Sequence, residues 1–210
     1  MEHRILCHTV MMVAMALAGC QHGHAASAAL PVAETMGTVF TVPMSVQRIA
    51  VFYPRSGNPD FLDAYQRLEG ATFQLKATRP TLRIVDRFHL PAIVMEQRFQ
   101  LSGNVTDESV VRAGQLLGVD SVLLYTIDGP GLRDRIFARR LTDVRPVTVT
   151  TKLIRVETAE VLFHNVVSAP MDDGNGGWSL EDNLDYHQLT RAALDRGIAR
   201  TMADLQRAFH

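Results

Sequence analysis

The chain has 210 residues, 47 % of them hydrophobic, enough for the core of one domain and short for two. A formal charge of −1 gives no bulk attraction to nucleic acid or to an anionic surface. Both cysteines, Cys7 and Cys20, fall in the first twenty residues, so no disulfide can staple the fold that follows.

The first segment has the order of an export signal. Arg4 supplies a positive charge, Val10 to Leu17 an apolar run, and Leu17-Ala18-Gly19-Cys20 a set of small residues before a cut. The run is far short of the roughly 18–20 apolar residues of a membrane-spanning helix. Gln21 to Pro31 is small and polar, which reads as a tether. His22 and His24 lie in that arm, where an isolated His-Gly-His is expected to be solvated rather than metal-bound.

Arg48 to Pro54 predicts a short buried strand. Asn58-Pro59-Asp60 is a helix start: an N-cap, a proline at the first position and an acid in the first turn. Phe61, Tyr65, Leu68, Thr72 and Leu75 then make one helical face, and Pro80 stops it. Thr81 to Asp86 predicts a second strand, and Pro91 can open a helix carrying Ile93, Val94, Gln97 and Phe99. Thr106 caps a third helix, with Asp107 and Glu108 favouring its dipole and Gly118 ending it. Val122 to Ile127 is a third strand. Pro146 to Val156 and Glu160 to Val167 predict a hairpin turning at Glu157-Thr158-Ala159. A last helix buries Leu194, Ile198, Met202, Leu205 and Phe209. The expected fold class is α/β: a three-layer sandwich with a mixed sheet, a hairpin in the C-terminal half and a closing C-terminal helix.

The usual catalytic and cofactor motifs do not occur in the sequence. Asp172 to Gly177 has the composition of a calcium loop, but the twelfth position from Asp173 is Leu184, not the bidentate Glu such a loop needs. Asp86, Glu96 and Asp120 are the carboxylates nearest element ends, and an envelope hydrolase would need two of them to meet. His89 and His164 are expected to be structural. No catalytic residue, cofactor or metal is therefore expected. Arg133, Arg135, Arg139, Arg140 and Arg145 form the one dense basic stretch, diluted by Asp134 and Asp143. It reads as a solvated loop, or as a surface for a partner.

Leu-Ala-Gly-Cys resembles the lipobox of bacterial lipoproteins, which implies lipid on Cys20 and, from Gln21 after it, sorting to the outer membrane. Several acyl chains, at about 0.8 kcal/mol per buried methylene, suffice for stable anchoring. Ile84-Val85-Asp86-Arg87, Ile93 to Gln97, Leu101 to Val105 and Gly114 to Asp120 follow one another in an order similar to the curli assembly/transport (CsgG-like) lipoprotein family. In that pattern Ala159 stands where the hairpin turn has glycine. The resemblance implies a periplasmic α/β domain related to those of penicillin-binding-protein activators and flagellar outer-membrane lipoproteins. Its curli member is an oligomeric pore built from two long hairpins of about 9–11 alternating residues per strand. Here the corresponding inserts are Arg-rich (Asp128 to Arg145) and acidic and Gly-rich (Ser168 to Asp185).

The expected organisation is a signal at 1–19, a lipid-anchored tether at 20–46 and one periplasmic domain at 47–210. The expected function is a non-enzymatic accessory factor. It would dock on an envelope protein of a cell-wall synthase or of secretion or surface-appendage machinery, without contact to nucleic acid. The alternative is a homo-oligomeric secretion channel.

Overall fold

A computed structural model describes residues 34–36, 41–54, 56–85, 106–131, 134, 143–171 and 186–210. The signal, Cys20, Gln21, the helix expected after Pro91 and the Gly- and Asp-rich loop lie outside the described residues.

Six strands form one mixed sheet: β1 (Glu34–Met36), β2 (Arg48–Phe52), β3 (Arg83–Val85), β4 (Ser121–Asp128), β5 (Val147–Arg155) and β6 (Val161–Ala169), in the order β1-β6-β5-β4-β2-β3. β2 runs parallel to β3 and β4, and the other neighbours are antiparallel. Among the described residues the sheet is accompanied by the helices α1 (Pro59–Thr72), α2 (Leu75–Thr78), α3 (Asp107–Leu117) and α4 (Tyr186–Ala208).

Strand alternation creates the layers. Ile49, Val51, Leu123, Tyr125, Val149, Phe163 and Val167 face α1 and α4, where Leu68, Leu194 and Leu205 close the larger core. Ala50, Phe52, Val122 and Leu124 face the other way and pack on Val110 and Ala113 of α3. Full burial of such a side chain contributes roughly 1.5–3 kcal/mol. Gly114 lets α3 approach the sheet, because a Cβ there would come within 2.5 Å of Val156 and 2.7 Å of Val122.

The helix starts expected from the sequence are present. Asn58 accepts from the Asp60 amide at 3.0 Å, and Thr106 accepts from the Ser109 amide at 3.3 Å. Gly118 takes a left-handed φ of 60° and ends α3. Two expectations change. The helix expected to run from Pro59 to Pro80 breaks at Phe73 and Gln74, and Leu75 belongs to the separate α2. Residues inside the expected 20–46 tether boundary also belong to the fold, since Glu34–Met36 pairs with β6 and Val42 and Val46 are buried.

The sheet has two distinct ends. The register sets Asp128 beside Thr148, Val147 beside Ala169, and Ser168 beside Glu34. This insert end is where segments 129–146 and 170–185 leave and return, and where the chain arrives from the N-terminal side. At the opposite, turn end lie Ser121, Arg155, Val161 and the starts of β2 and β3.

The β5–β6 turn holds Ala159 at φ 57°, a conformation costing a residue with a Cβ about 1–2 kcal/mol. Ala159→Gly should therefore raise stability by about 0.5–1 kcal/mol, part of the gain being offset by the freer unfolded chain. Urea unfolding of the two proteins measures it, and an unchanged or lower midpoint would argue against strain at this turn.

Candidate functional site

The insert end is tied together by polar contacts. Asp60, in the first turn of α1, has a side chain only 4 % exposed. Its carboxylate meets His187 Nδ1 and Arg191 Nε, each at 2.9 Å, from the first turns of α4. The His187 hydrogen bond, together with Arg191, holds the Asp60 carboxyl below its usual range against the opposing effect of burial. Beside it, the Ile127 amide donates to Tyr65 Oη at 2.7 Å. Ile127 lies beyond the last residue of β4 that β2 reaches, Leu124, so the phenol stands in for a strand partner. Burial pushes the Tyr65 phenol up to about 12. Deeper under α1, Tyr53 stacks on Tyr65 at 4.9 Å and donates to Glu69 at 3.0 Å. Tyr125 and Thr72 share a hydrogen bond of 2.7 Å.

Where the chain leaves β4, Asp134 accepts from the Gly131 amide at 2.7 Å and pairs with Arg145 at 3.3 Å. Arg145 thus clamps the base of the Arg-rich insert. Arg133, Arg135, Arg139 and Arg140 lie outside the described residues, as do Asp86, His89 and Glu96.

Asp120 serves the backbone: its carboxylate accepts from the amides of Gln47 and Arg48, at 2.8 and 2.7 Å, and so fixes the entry to β2. His164 is exposed on β6, opposite Lys152. Lys152 in turn pairs with Asp107 at 3.1 Å, fastening the start of α3 to β5. Among the described residues no three His, Cys, Asp or Glu side chains gather as a metal site, and no helix is long and apolar enough to cross a membrane.

Sequence reasoning missed three structural polar groups. Asp204 on α4 is fully buried and accepts from Asn165 of β6 at 2.8 Å, with Arg207 and Arg200 beside it. Arg79 is buried too; it donates to the carbonyls of Val42 and Pro43 at 2.9 and 3.0 Å and lies over the Phe209 ring. Third is the pairing of Asp60 with His187 and Arg191. The one legible signal was the spacing of these two, four apart at the start of a helix and so on one face.

The described residues define a three-layer α/β domain with a six-stranded mixed sheet. It is similar to a PelC dodecamer from Paraburkholderia phytofirmans, at 17 % identity and TM-score 0.44, over 83 % of this chain and 98 % of that one. It is also similar to the LpoB C-terminal domain from Salmonella enterica, at 15 % and 0.40, over 61 % and 83 %. A third is lipoprotein GNA1162 from Neisseria meningitidis, at 18 % and 0.35, over 74 % and 98 %. None of these three is a curli transport protein by name. No family model and no curated protein matches the sequence.

Asp60→Asn keeps the shape and removes the charge. At neutral pH the variant should lose on the order of 2 kcal/mol, since His187 and Arg191 lose an ionised buried acceptor. A depressed carboxyl contributes its stability above the unfolded value of about 3.9, and loses it as pH falls through the folded value. Denaturant unfolding at pH 7 and near pH 3 should therefore show the gap between the two proteins narrowing in acid. A gap independent of pH would contradict this role.

Proposed function

We propose that this chain is a lipid-anchored envelope accessory protein without catalytic activity, held by lipid on Cys20 and docking a partner protein through the insert end. The observation that carries the reading is the strand register. It sets Asp128 beside Thr148 and Ala169 beside Val147, so both long inserts rise from one edge of the domain. One insert brings Arg133, Arg135, Arg139 and Arg140, and the other Asp172, Asp173, Glu181, Asp182 and Asp185. The two sequences carry opposite signs of charge, a pattern that serves specificity and docking rate more than raw affinity. The contacts of Asp60 and the Asp134–Arg145 pair keep their bases in place. Gln21 after the lipidated cysteine supports the outer membrane, facing the periplasm.

The alternative, a homo-oligomeric channel, uses the same edge, because two neighbouring inserts per chain are what a shared barrel would need. Their sequences speak against it: neither has two runs of about 9–11 residues alternating apolar and polar, the pattern barrel strands need.

A photo-crosslinking amino acid at Asp128, compared with one at Thr158 on the turn end, separates these readings in intact cells. Asp128 should yield an adduct with one other envelope protein, and Thr158 should not. An adduct of two copies of this chain would favour the channel. The same adduct from both positions, or none from Asp128, would contradict docking at the insert end.

A further inference from the structure

The turn end holds Asp120, Glu157 and Glu160 as well as Arg155, but it also groups cations that pair with none of these acids. Segments 41–48 and 73–85 close this end and contain Arg48, Lys76, Arg79 and Arg83 without a single acidic residue. Arg79 is used internally, on the carbonyls of Val42 and Pro43. The other three are exposed. Elsewhere among the described residues, Arg67, Arg112, Arg145, Lys152, Arg191, Arg200 and Arg207 each meet a carboxylate. The side chains of Arg48, Lys76 and Arg83 meet no described carboxylate, yet all three residues line one cleft of about 660 Å³, which Gln47 and Thr81 also line.

The register makes the arrangement costly. Arg48 and Arg83 are direct partners on the parallel strands β2 and β3, so two like charges project from adjacent positions. Such pairs destabilise a sheet unless an anion lies between them. The same two segments also expose Met44, at 70 %, and Phe73, at 37 %, with Lys76 Nζ 5.9 Å from the Phe73 ring.

We propose that the turn end rests on an anionic lipid surface, with Arg48, Lys76 and Arg83 taking headgroup phosphates and Met44 and Phe73 entering the headgroup layer. A free phosphate would satisfy the charges but leave the thioether and the ring in water. A bilayer meets both needs, because it presents phosphates at adjustable spacing above an apolar layer. The tether permits the pose. Cys20 to Glu34 is fourteen residue steps, which reach at most about 50 Å. β4, with 8 residues, spans only about 26 Å from end to end. With the turn end on the membrane, the insert end points away from it, toward the partner.

The proposal rests on the lipid-anchored reading only for the nearness of a bilayer, so its test uses an unlipidated chain. The full chain carrying Cys20→Ser is floated with phosphatidylcholine vesicles, with and without about one third phosphatidylglycerol. It should partition more strongly to the anionic vesicles. Arg48→Gln, Lys76→Gln and Arg83→Gln together should lower that partition on the order of 100-fold. The apolar run of the signal is common to both proteins and cancels in the comparison. Raising the ionic strength on the parent chain should reproduce the loss without any substitution. Equal partition to both vesicles, or a triple variant that floats like its parent, would overturn the proposal. Release by millimolar glycerol phosphate at matched ionic strength would assign the cleft to a soluble phosphate instead. Failure of lipid to appear on Cys20 in cells would leave this result standing, so the two readings fail separately.

Discussion

The structure depends on β4 being buried on both faces. Leu123, Tyr125 and Ile127 point into one core, and Val122 and Leu124 into the other. A strand with no wet face requires a cover on each side, supplied here by α1 and α4 on one and by α3 on the other. β4 also joins the two halves of the sheet, running parallel to β2 and antiparallel to β5. Its direction therefore decides which connections emerge at which end. The 129–146 insert follows from where β4 stops, and the 170–185 insert from where β6, two strands away, runs the same way.

That polarity divides the domain into surfaces with different chemistry. At the insert end two sets of described charges are paired: Asp60 with His187 and Arg191, Asp134 with Arg145. These contacts hold the bases of long segments whose own sequences carry opposite charges. At the turn end Arg79 uses its donors on backbone carbonyls, stitching the chain before β2 to the end of α2. What it leaves outside is a set of cations with exposed apolar neighbours. The proposed protein contact uses the first end and the proposed lipid contact the second.

Much of the fold was legible because its signals are local. Short apolar runs marked β2 and β4, the hairpin pattern marked β5 and β6, and the caps at Asn58, Thr106 and Gly118 marked helix ends. β1 was not legible: three residues are too few to show a period, and its pairing with β6 is made across more than a hundred residues of sequence. The break at Phe73 was hidden because Leu75 continues the apolar spacing of α1 although it belongs to α2. The buried Asp204 and Arg79 depend on partners distant in sequence, Asn165 and the Val42–Val46 segment. The basic surface shows the same limit. Sequence density pointed to Arg133–Arg145, whereas Arg48, Lys76 and Arg83 are scattered along the chain: Arg48 and Arg83 meet because β2 pairs with β3, and Lys76 of α2 lines the same cleft.

Both proposed contacts presuppose a domain held beside a membrane through Cys20. Intact-mass measurement of the protein extracted from envelopes tests that claim most directly. The predicted result is a chain beginning at Cys20 whose mass exceeds the polypeptide by a diacylglyceryl group and one further acyl chain. A chain that still carries residues 1–19, or one cut elsewhere with an unmodified cysteine, would contradict it.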